Sequence, residues 1–142
     1  MVPPQIVIDT HVVVAAQRSK RGASARLMSL IGTGLFEIHV SVPLVLEYEE
    51  VLLRQRASLG LTQEDVTHLV DALCALAHHQ EIHFLWRPYL RDAGDELVLE
   101  LAVAAGCDYI VTYNKSDFAG TERFGIEVID PKALLERIGE LK

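Results

Sequence analysis

The stretch Gln5-Ile-Val-Ile-Asp9 decides the fold, because an unbroken run of β-branched residues ends there on an acidic side chain. The run Tyr109-Ile-Val-Thr112 has the same character. Neither run shows the polar alternation of a strand with one solvent-exposed face, and strands of this kind are typical of parallel sheets that are covered on both sides. The two runs therefore predict a parallel sheet buried between layers of helices.

Short β-branched runs alternate with longer helix-like segments along the rest of the chain. The predicted strands are Gln5–Asp9, Glu37–Ser41, Glu81–Leu85, Tyr109–Thr112 and Glu127–Ile129. The predicted helices are Ala23–Ile31, Pro43–Ser58, Thr62–His78, Asp95–Ala105 and Pro131–Leu141. Right-handed crossovers place helices on both faces of such a sheet. We therefore expect an α/β protein, a three-layer α/β/α sandwich around a central parallel sheet of about five strands.

Length and composition favour one compact cytoplasmic domain spanning residues 1–142. The chain is 50% hydrophobic and 23% charged, which is enough apolar material for a sizeable core. Cys74 and Cys107 lie far apart, in neither a redox nor a metal-ligand spacing, as expected for a protein kept reduced. Prolines precede the first apolar run and Asp9 interrupts it, so we expect neither a signal peptide nor membrane association.

The net charge of −7 argues against broad electrostatic binding to nucleic acid, whose phosphates are met best by a basic surface. That argument weakens if several carboxylates cluster around bound cations, because the formal charge leaves those cations out. The acidity of the chain is then in part the acidity of its functional site.

Polar residues follow two of the predicted strands at the point where each strand ends. Asp9 ends the first strand, and Thr112, Asn114 and Asp117 follow the fourth. In an open parallel sheet, ligands bind at the carboxyl ends of the strands, so these side chains are candidates for a site. The alternative for Asp9, followed by Thr10, is a structural role as a helix cap.

Glu47 is the glutamate of its helix that we expect to face a cleft over the sheet. It borders an apolar stripe at helical spacing, formed by Leu44, Tyr48, Val51 and Leu52. We expect Glu50 to point to the opposite side and Glu49 to lie off the other edge of the stripe. The alternative for all three glutamates is an ordinary solvated helix face.

Asp95 and Glu96 occupy the first turn of an Ala-rich helix, where acidic residues favour the helix dipole. Asp92 lies three residues earlier, so more carboxylates are present than one helix cap requires. Hard oxygen ligands with room for water and phosphate are what Mg²⁺ prefers, and a pair of such ions can assist phosphodiester cleavage. A metal site therefore explains the excess of acidic residues.

Four motifs, taken in order, resemble those of the PIN-domain nucleases, particularly VapC-like toxins: Asp9-Thr10, Ser41-x-Pro-Leu-Val-x-Glu47, Asp92-x-x-Asp95 and Val111-Thr112-x-Asn114-x-x-Asp117-Phe118. The resemblance runs from about Val7 to Asp130. It implies a PIN fold, cleavage of single-stranded RNA, Mg²⁺ or Mn²⁺ as cofactor, frequent homodimers and a cognate antitoxin as partner.

The resemblance assigns residues position by position. It implies a catalytic and metal-binding set of Asp9, Glu47, Asp95 and Asp117, with Thr10, His11, Asp92, Thr112 and Asn114 in support. His11 stands where the family usually has an asparagine after Asp-Thr, and its charge near metal ions would depend on pH. The alternative is therefore a catalytically impaired PIN-like scaffold that binds a protein or RNA partner.

Three further features have both a functional and a structural interpretation. A predicted loop holds four cations that suit an RNA backbone, although a solvated loop would look the same: Arg18, Lys20, Arg21 and Arg26. The histidines at positions 78, 79 and 83 lack zinc-ligand spacing, and we interpret them as structural. Leu46 and Leu53 lie on the helix face opposite the stripe, so we expect them to contact a second subunit or an antitoxin helix.

Overall fold

The computed structural model describes residues 2–82 and 93–141. The strands are β1 Gln5–Ile8, β2 Glu37–Val40, β3 His78–His79, β4 Tyr109–Val111 and β5 Glu127–Ile129. The helices are α1 Thr10–Arg18, α2 Ala23–Ser29, α3 Val42–Leu59, α4 Gln63–Leu76, α5 Ala93–Ala104 and α6 Pro131–Arg137. Two short 3₁₀ turns, Lys115–Phe118 and Thr121–Phe124, lie between β4 and β5.

The strands form one parallel sheet in the spatial order β3-β2-β1-β4-β5. The chain steps outward from β1 to β2 and β3, and then returns to place β4 on the other side of β1. Right-handed crossovers in opposite directions lie on opposite faces of a sheet, which gives the three-layer α/β/α sandwich. The predicted fold class is confirmed, and the strand order reverses between β1 and β4, where a ligand crevice is expected.

The central strands are buried, as their unbroken apolar runs predicted. Ile6, Val7 and Ile110 are fully inaccessible to solvent, and β1 pairs with β4 with Val7 opposite Ile110. Helix α5 packs against both of these strands, and α3 packs against α1, α4 and α5. Helix α5, which carries Asp95, therefore rests directly on the two strands at the reversal, and α3, which carries Glu47, packs beside it.

The predicted helices Pro43–Ser58 and Thr62–His78 are present as α3 and α4. The Ser41 hydroxyl accepts the backbone N–H of Leu44 at the start of α3. Gly60 ends that helix with φ +73°, a left-handed conformation that glycine adopts without a Cβ clash. Thr62 and Asp65 then form a reciprocal capping box at the start of α4.

Helix α1 was not predicted, because three consecutive valines favour a strand over a helix. Val12, Val13 and Val14 are all buried, so tertiary packing overrides the local preference. The predicted cationic loop consequently consists of the end of α1, a turn and part of α2, which contains Arg26.

Three boundaries differ from the prediction: the position of β3, the end of α4 and the end of α6. β3 lies at His78–His79 instead of starting at Glu81, and α4 ends at Leu76. Both side chains of β3 are exposed at the edge of the sheet, so no apolar pattern marks this strand. Residues 83–85 of the predicted strand lie outside the described residues. Helix α6 is shorter than predicted because Gly139, with φ +83°, turns the chain away.

Across residues 2–82 and 93–141, the structure contains no helix with the length and apolar character needed to cross a membrane.

Candidate functional site

A cleft of about 310 Å³ opens beside the end of β1, and three separate elements supply its acidic side chains. Asp9 follows β1, Glu47 belongs to α3 and Asp95 lies in the first turn of α5. The described lining consists of Asp9, Thr10, His11, Glu47, Glu50, Val51, Arg54, Gly94 and Asp95. Three of the four acids singled out from the sequence therefore share one cleft.

Asp9 joins the ends of the two strands at the reversal of strand order. Its backbone N–H donates to the carbonyl of Val111 at 2.9 Å, and its carboxylate accepts the Thr112 hydroxyl at 2.7 Å. The residue is only 4% exposed. Although Asp9 occupies the N-cap position of α1, its side chain makes no capping hydrogen bond. The side chain therefore contacts the residue that follows β4 instead of capping the next helix.

The electrostatics of Asp9 favour a bound cation. Burial is the main cause that raises the pKa of Asp9 above its usual value, and the charge of Asp117 adds to it. The hydrogen bond from Thr112, the nearby His11 and the N–H of Thr10 oppose that rise without cancelling it. A cation in the cleft would supply the compensating charge that this carboxylate lacks.

Glu47 is held against α1 and β1 by contacts on either side of it. Its half-buried carboxylate accepts the hydroxyl of Thr10. The next residue, Tyr48, is buried and donates its hydroxyl to the carbonyl of Ile8, the last residue of β1. Burial, together with the charges of Asp9 and Glu47, raises the pKa of Tyr48 well above its usual value. Tyr48 therefore stays a neutral donor that keeps α3 beside Asp9.

Glu50 does not point to the opposite side from Glu47, as expected from the sequence, but lines the same cleft. Residues three apart on a helix share a face, and this spacing should have placed the two glutamates together. Arg54 also lines the cleft, and its guanidinium lies 2.6 Å from the Glu50 carboxylate. The sequence reasoning missed Arg54, although its seven-residue spacing from Glu47 equals two helical turns.

The loop after β4 lies at the margin of the cleft. The backbone N–H of Asn114 donates to the Thr112 hydroxyl at 3.0 Å. The backbone N–H of Asp117 in turn donates to the carbonyl of Asn114 at 3.0 Å. Asp117 is exposed and does not line the cleft, although its charge raises the pKa of Asp9. The predicted supporting residue Asp92 lies outside the described residues.

The chemistry of the lining fits Mg²⁺ or Mn²⁺, because carboxylate and hydroxyl oxygens are the hard donors that these ions take. In the part of the chain that the structure describes, no three His, Cys, Asp or Glu side chains converge closely enough to enclose a metal ion. Mg²⁺ commonly binds through one or two carboxylates and keeps several waters. The cleft therefore fits an ion with open coordination positions.

The four predicted cations are spread out. Arg18 donates to the side-chain oxygen of Gln55 on α3 at 3.1 Å, and Lys20 and Arg21 are exposed. Arg26 instead forms a 2.8 Å ion pair with Glu140. Of these cations, Arg18 is the one that the structure places against a helix lining the cleft.

Two of the three predicted structural histidines have described surroundings. His78 stacks on His39 with ring centroids 5.0 Å apart, and His79 lies 2.7 Å from the carbonyl of Cys74. His83 lies outside the described residues.

Comparison with known proteins identifies a family and a similar solved structure. The sequence profile of the PIN domain matches residues 5–116. A chain of the solved VapBC2 complex from Rickettsia felis, bound to a DNA fragment from its promoter, superposes with a TM-score of 0.60 at 14% identity. The match covers 88% of this chain and 98% of that chain, and at this identity it shows a shared fold. No curated protein sequence matches the chain.

Proposed function

The chain belongs to the PIN domain family, and on that basis we propose that it is a metal-dependent endoribonuclease that cleaves single-stranded RNA. The observation that carries the proposal is the shared cleft of Asp9, Glu47 and Asp95 at the reversal of strand order. The acids come from three different elements, so helix capping or a solvated helix face does not account for their meeting. The raised pKa of Asp9 adds support, because it reports a carboxylate that would gain from a cation.

In this proposal Asp9, Glu47 and Asp95 hold Mg²⁺ or Mn²⁺, and Asp117 contributes from the loop after β4. A bound divalent ion supplies an activated water and stabilises negative charge on the phosphate oxygens. Thr112 orients the carboxylate of Asp9 by donating its hydroxyl to it.

Two more residues hold Glu47 in position beside Asp9. Thr10 donates to Glu47, and Tyr48 holds α3 at the end of β1. These contacts preorganise the acids before metal and substrate arrive.

We further propose that the protein is the toxin of a cytoplasmic toxin–antitoxin pair, that it forms a homodimer, and that an antitoxin is its protein partner. The similar fold in the VapBC2 complex supports this assignment. Exposed apolar surface near the start of α3 adds to it, because Val42 and Leu46 are 70% and 58% exposed and Val42 lines a groove of about 440 Å³ together with Pro43. Leu53 differs from expectation, since it is partly buried against the core.

A cleavage assay on single-stranded RNA with Mg²⁺ or with Mn²⁺, and with EDTA in place of either metal, tests the enzymatic proposal. We expect Glu47→Gln to lower kcat about 100-fold or more, the scale of losing an electrostatic contact in a transition state. Glu49→Gln is the matched control, because Glu49 lies on the same helix and does not line the cleft. Equal activity of the two variants would remove Glu47 from the site. A wild-type protein that is inactive with both metals would leave the scaffold as the better description.

A further inference from the structure

The cleft has a single arginine or lysine among its described lining residues. Arg54 lines it together with Asp9, Glu47, Glu50 and Asp95, which are all acidic. A phosphodiester that approaches these carboxylates is repelled unless cations compensate the charge. A guanidinium is well suited to that role, because its planar donors match phosphate oxygens in pairs.

Arg54 is placed on the same helix face as Glu47. The two residues are seven positions apart, which is two turns and about 10 Å along the axis. Arg54 pairs with Glu50 at 2.6 Å, and both side chains are more than 60% exposed, at 62% and 63%. Exposed pairs of this kind contribute little stability, so a phosphate can displace Glu50 from the guanidinium at small cost.

Contacts between α1 and α3 place a second arginine, Arg18, close to Arg54. Thr10 contacts Glu47 where α1 begins, and Arg18 contacts Gln55 where α1 ends, each pair 37 residues apart in the chain. The two helices therefore run side by side in the same direction for about 12 Å. Arg18 reaches α3 at the residue after Arg54, so acids lie at one end of the α1–α3 seam and two arginines at the other.

We propose that Arg54 binds a backbone phosphate of the RNA strand next to the position of cleavage, and that Glu50 holds its guanidinium when RNA is absent. The strand then leaves the acidic cleft along the α1–α3 seam towards Arg18. This inference deepens the proposed function, on which it rests, by naming a substrate-positioning residue and the direction of the bound strand.

The test is the affinity for a fluorescent single-stranded RNA oligonucleotide, measured by anisotropy at low salt in EDTA, where metal-dependent cleavage does not proceed. We expect Arg54→Gln to weaken binding about tenfold, as for a lost charge-assisted contact. It should also reduce the slope of log affinity against log salt by about 0.7, the value for one single-strand phosphate contact. Glu50→Gln should tighten binding, since it frees Arg54 and removes a repelling charge.

Arg56→Gln is the matched control. Arg56 lies on the same helix and is exposed, but its guanidinium donates to the carbonyl of Leu53 in its own helix and does not line the cleft. Equal losses for Arg54→Gln and Arg56→Gln would mean a general charge effect and overturn the proposal. So would a wild-type protein that does not bind RNA.

Kinetics with Mn²⁺ separate this proposal from the proposed function. Arg54→Gln should raise KM and leave kcat within about twofold, because phosphate binding outside the reacting centre is uniform binding. A lower kcat at unchanged KM would overturn the positioning role. If the wild type cleaves no RNA, the nuclease assignment fails, while the binding comparison in EDTA still decides the role of Arg54.

Discussion

The hydroxyl of Thr112 lies 2.7 Å from the carboxylate of Asp9, and this contact joins residues 103 positions apart in the chain. Both residues are buried, and they follow β1 and β4, the strands on either side of the reversal. The same hydroxyl accepts the N–H of Asn114, which begins the turn that carries Asp117. Thr112 therefore connects the buried acid of the cleft with the loop at its margin.

Replacing Thr112 by valine keeps the shape of the side chain and removes its donor. The pKa of Asp9 should then rise further, because the hydrogen bond from Thr112 lowers it. An aspartate whose folded-state pKa is above the unfolded value loses stability as pH rises through that interval. We therefore expect Thr112→Val to lower the free energy of unfolding by about 1–3 kcal/mol at pH 7 and by less at pH 4.

Urea denaturation at both pH values measures this effect. Thr67→Val is the control, since Thr67 is exposed and its hydroxyl donates to the carbonyl of Gln63 within its own helix. We expect the control to change stability by no more than about 0.5 kcal/mol. Equal losses for the two variants would contradict the role given to Thr112.

The placement of Asp9 and Thr112 was predictable from sequence for a geometric reason. Both follow buried runs of a parallel sheet, and parallel strands bring their carboxyl ends to the same edge. The contact with Tyr48 was not predictable, because apolar spacing identifies a buried stripe without revealing that one hydroxyl meets the carbonyl of Ile8. The position of Arg54, by contrast, was predictable, because its seven-residue spacing from Glu47 places both residues on one face of α3.

The elements that sequence analysis missed lack the local signal on which it depends. The valines of α1 have strand propensity, and only their burial in the assembled core stabilises a helix. Strand β3 is two exposed histidines, held by pairing His39 with His78 and Val40 with His79. Such long-range contacts follow from the fold and cannot be predicted from residues that are neighbours in sequence.

His39 should make stability depend on pH. Burial lowers its pKa, the stacked His78 lowers it further, and Glu37 opposes both; its Nε2 lies 2.6 Å from Gln5 Oε1. Since the folded-state pKa of His39 is below the usual 6.5, the contribution of His39 to the free energy of unfolding is fully present above about pH 6.5. That contribution is lost as the pH falls through the folded-state pKa. His39→Gln should weaken this dependence.

The comparison is made by urea denaturation at several pH values between 7.5 and 5. His68→Gln, at an exposed position of α4, should leave the profile of the wild type unchanged. The assignment is wrong if His39→Gln retains the full loss of stability on acidification.

The two free cysteines should differ in reactivity. Burial, with a smaller effect from Asp108, raises the pKa of Cys107 to about 12, whereas Cys74 is half-buried with a smaller upward shift of its pKa. The thiolate is the reactive form, so iodoacetamide at pH 8 should modify Cys74 first and Cys107 only as the chain unfolds. Mass spectrometry of a time course, with Cys74→Ser as control, measures the order. Faster modification of Cys107 in the folded protein would contradict its burial.

Leu46 tests the proposed homodimer. It is 58% exposed on α3, and a charge there should be costly if a second subunit covers it. We expect sedimentation to show a dimer for the wild type and a monomer for Leu46→Glu. Leu76→Glu, at a 48% exposed position at the end of α4, is the control and should remain dimeric. A wild type that is monomeric at high micromolar concentration would contradict the proposal.

Asp9→Asn should separate stability from activity. Asparagine keeps an oxygen that can accept the Thr112 hydroxyl, but it removes a buried charge whose pKa is raised by burial and by Asp117. The metal-free variant should therefore be as stable as the wild type or more stable at pH 7. RNA cleavage should be lost, because one metal-binding charge is missing. For the same reason, the rise in Tm on adding Mn²⁺ should be smaller than in the wild type.

Asp130→Ala gives the opposite pattern and serves as the comparison for Asp9→Asn. The Asp130 carboxylate accepts the N–H of Ala133 at 2.8 Å and caps α6, so its removal should cost about 1 kcal/mol and leave cleavage intact. Thermal denaturation and RNA cleavage, each with and without Mn²⁺, give the Tm and the activity of both variants for direct comparison. If Asp9→Asn behaves like Asp130→Ala, destabilised but active, then Asp9 has a structural role and the metal site must lie elsewhere. If it is stable and inactive and has lost part of the Mn²⁺ effect on Tm, the buried carboxylate acts through the metal, because no loss of folding accompanies the loss of cleavage.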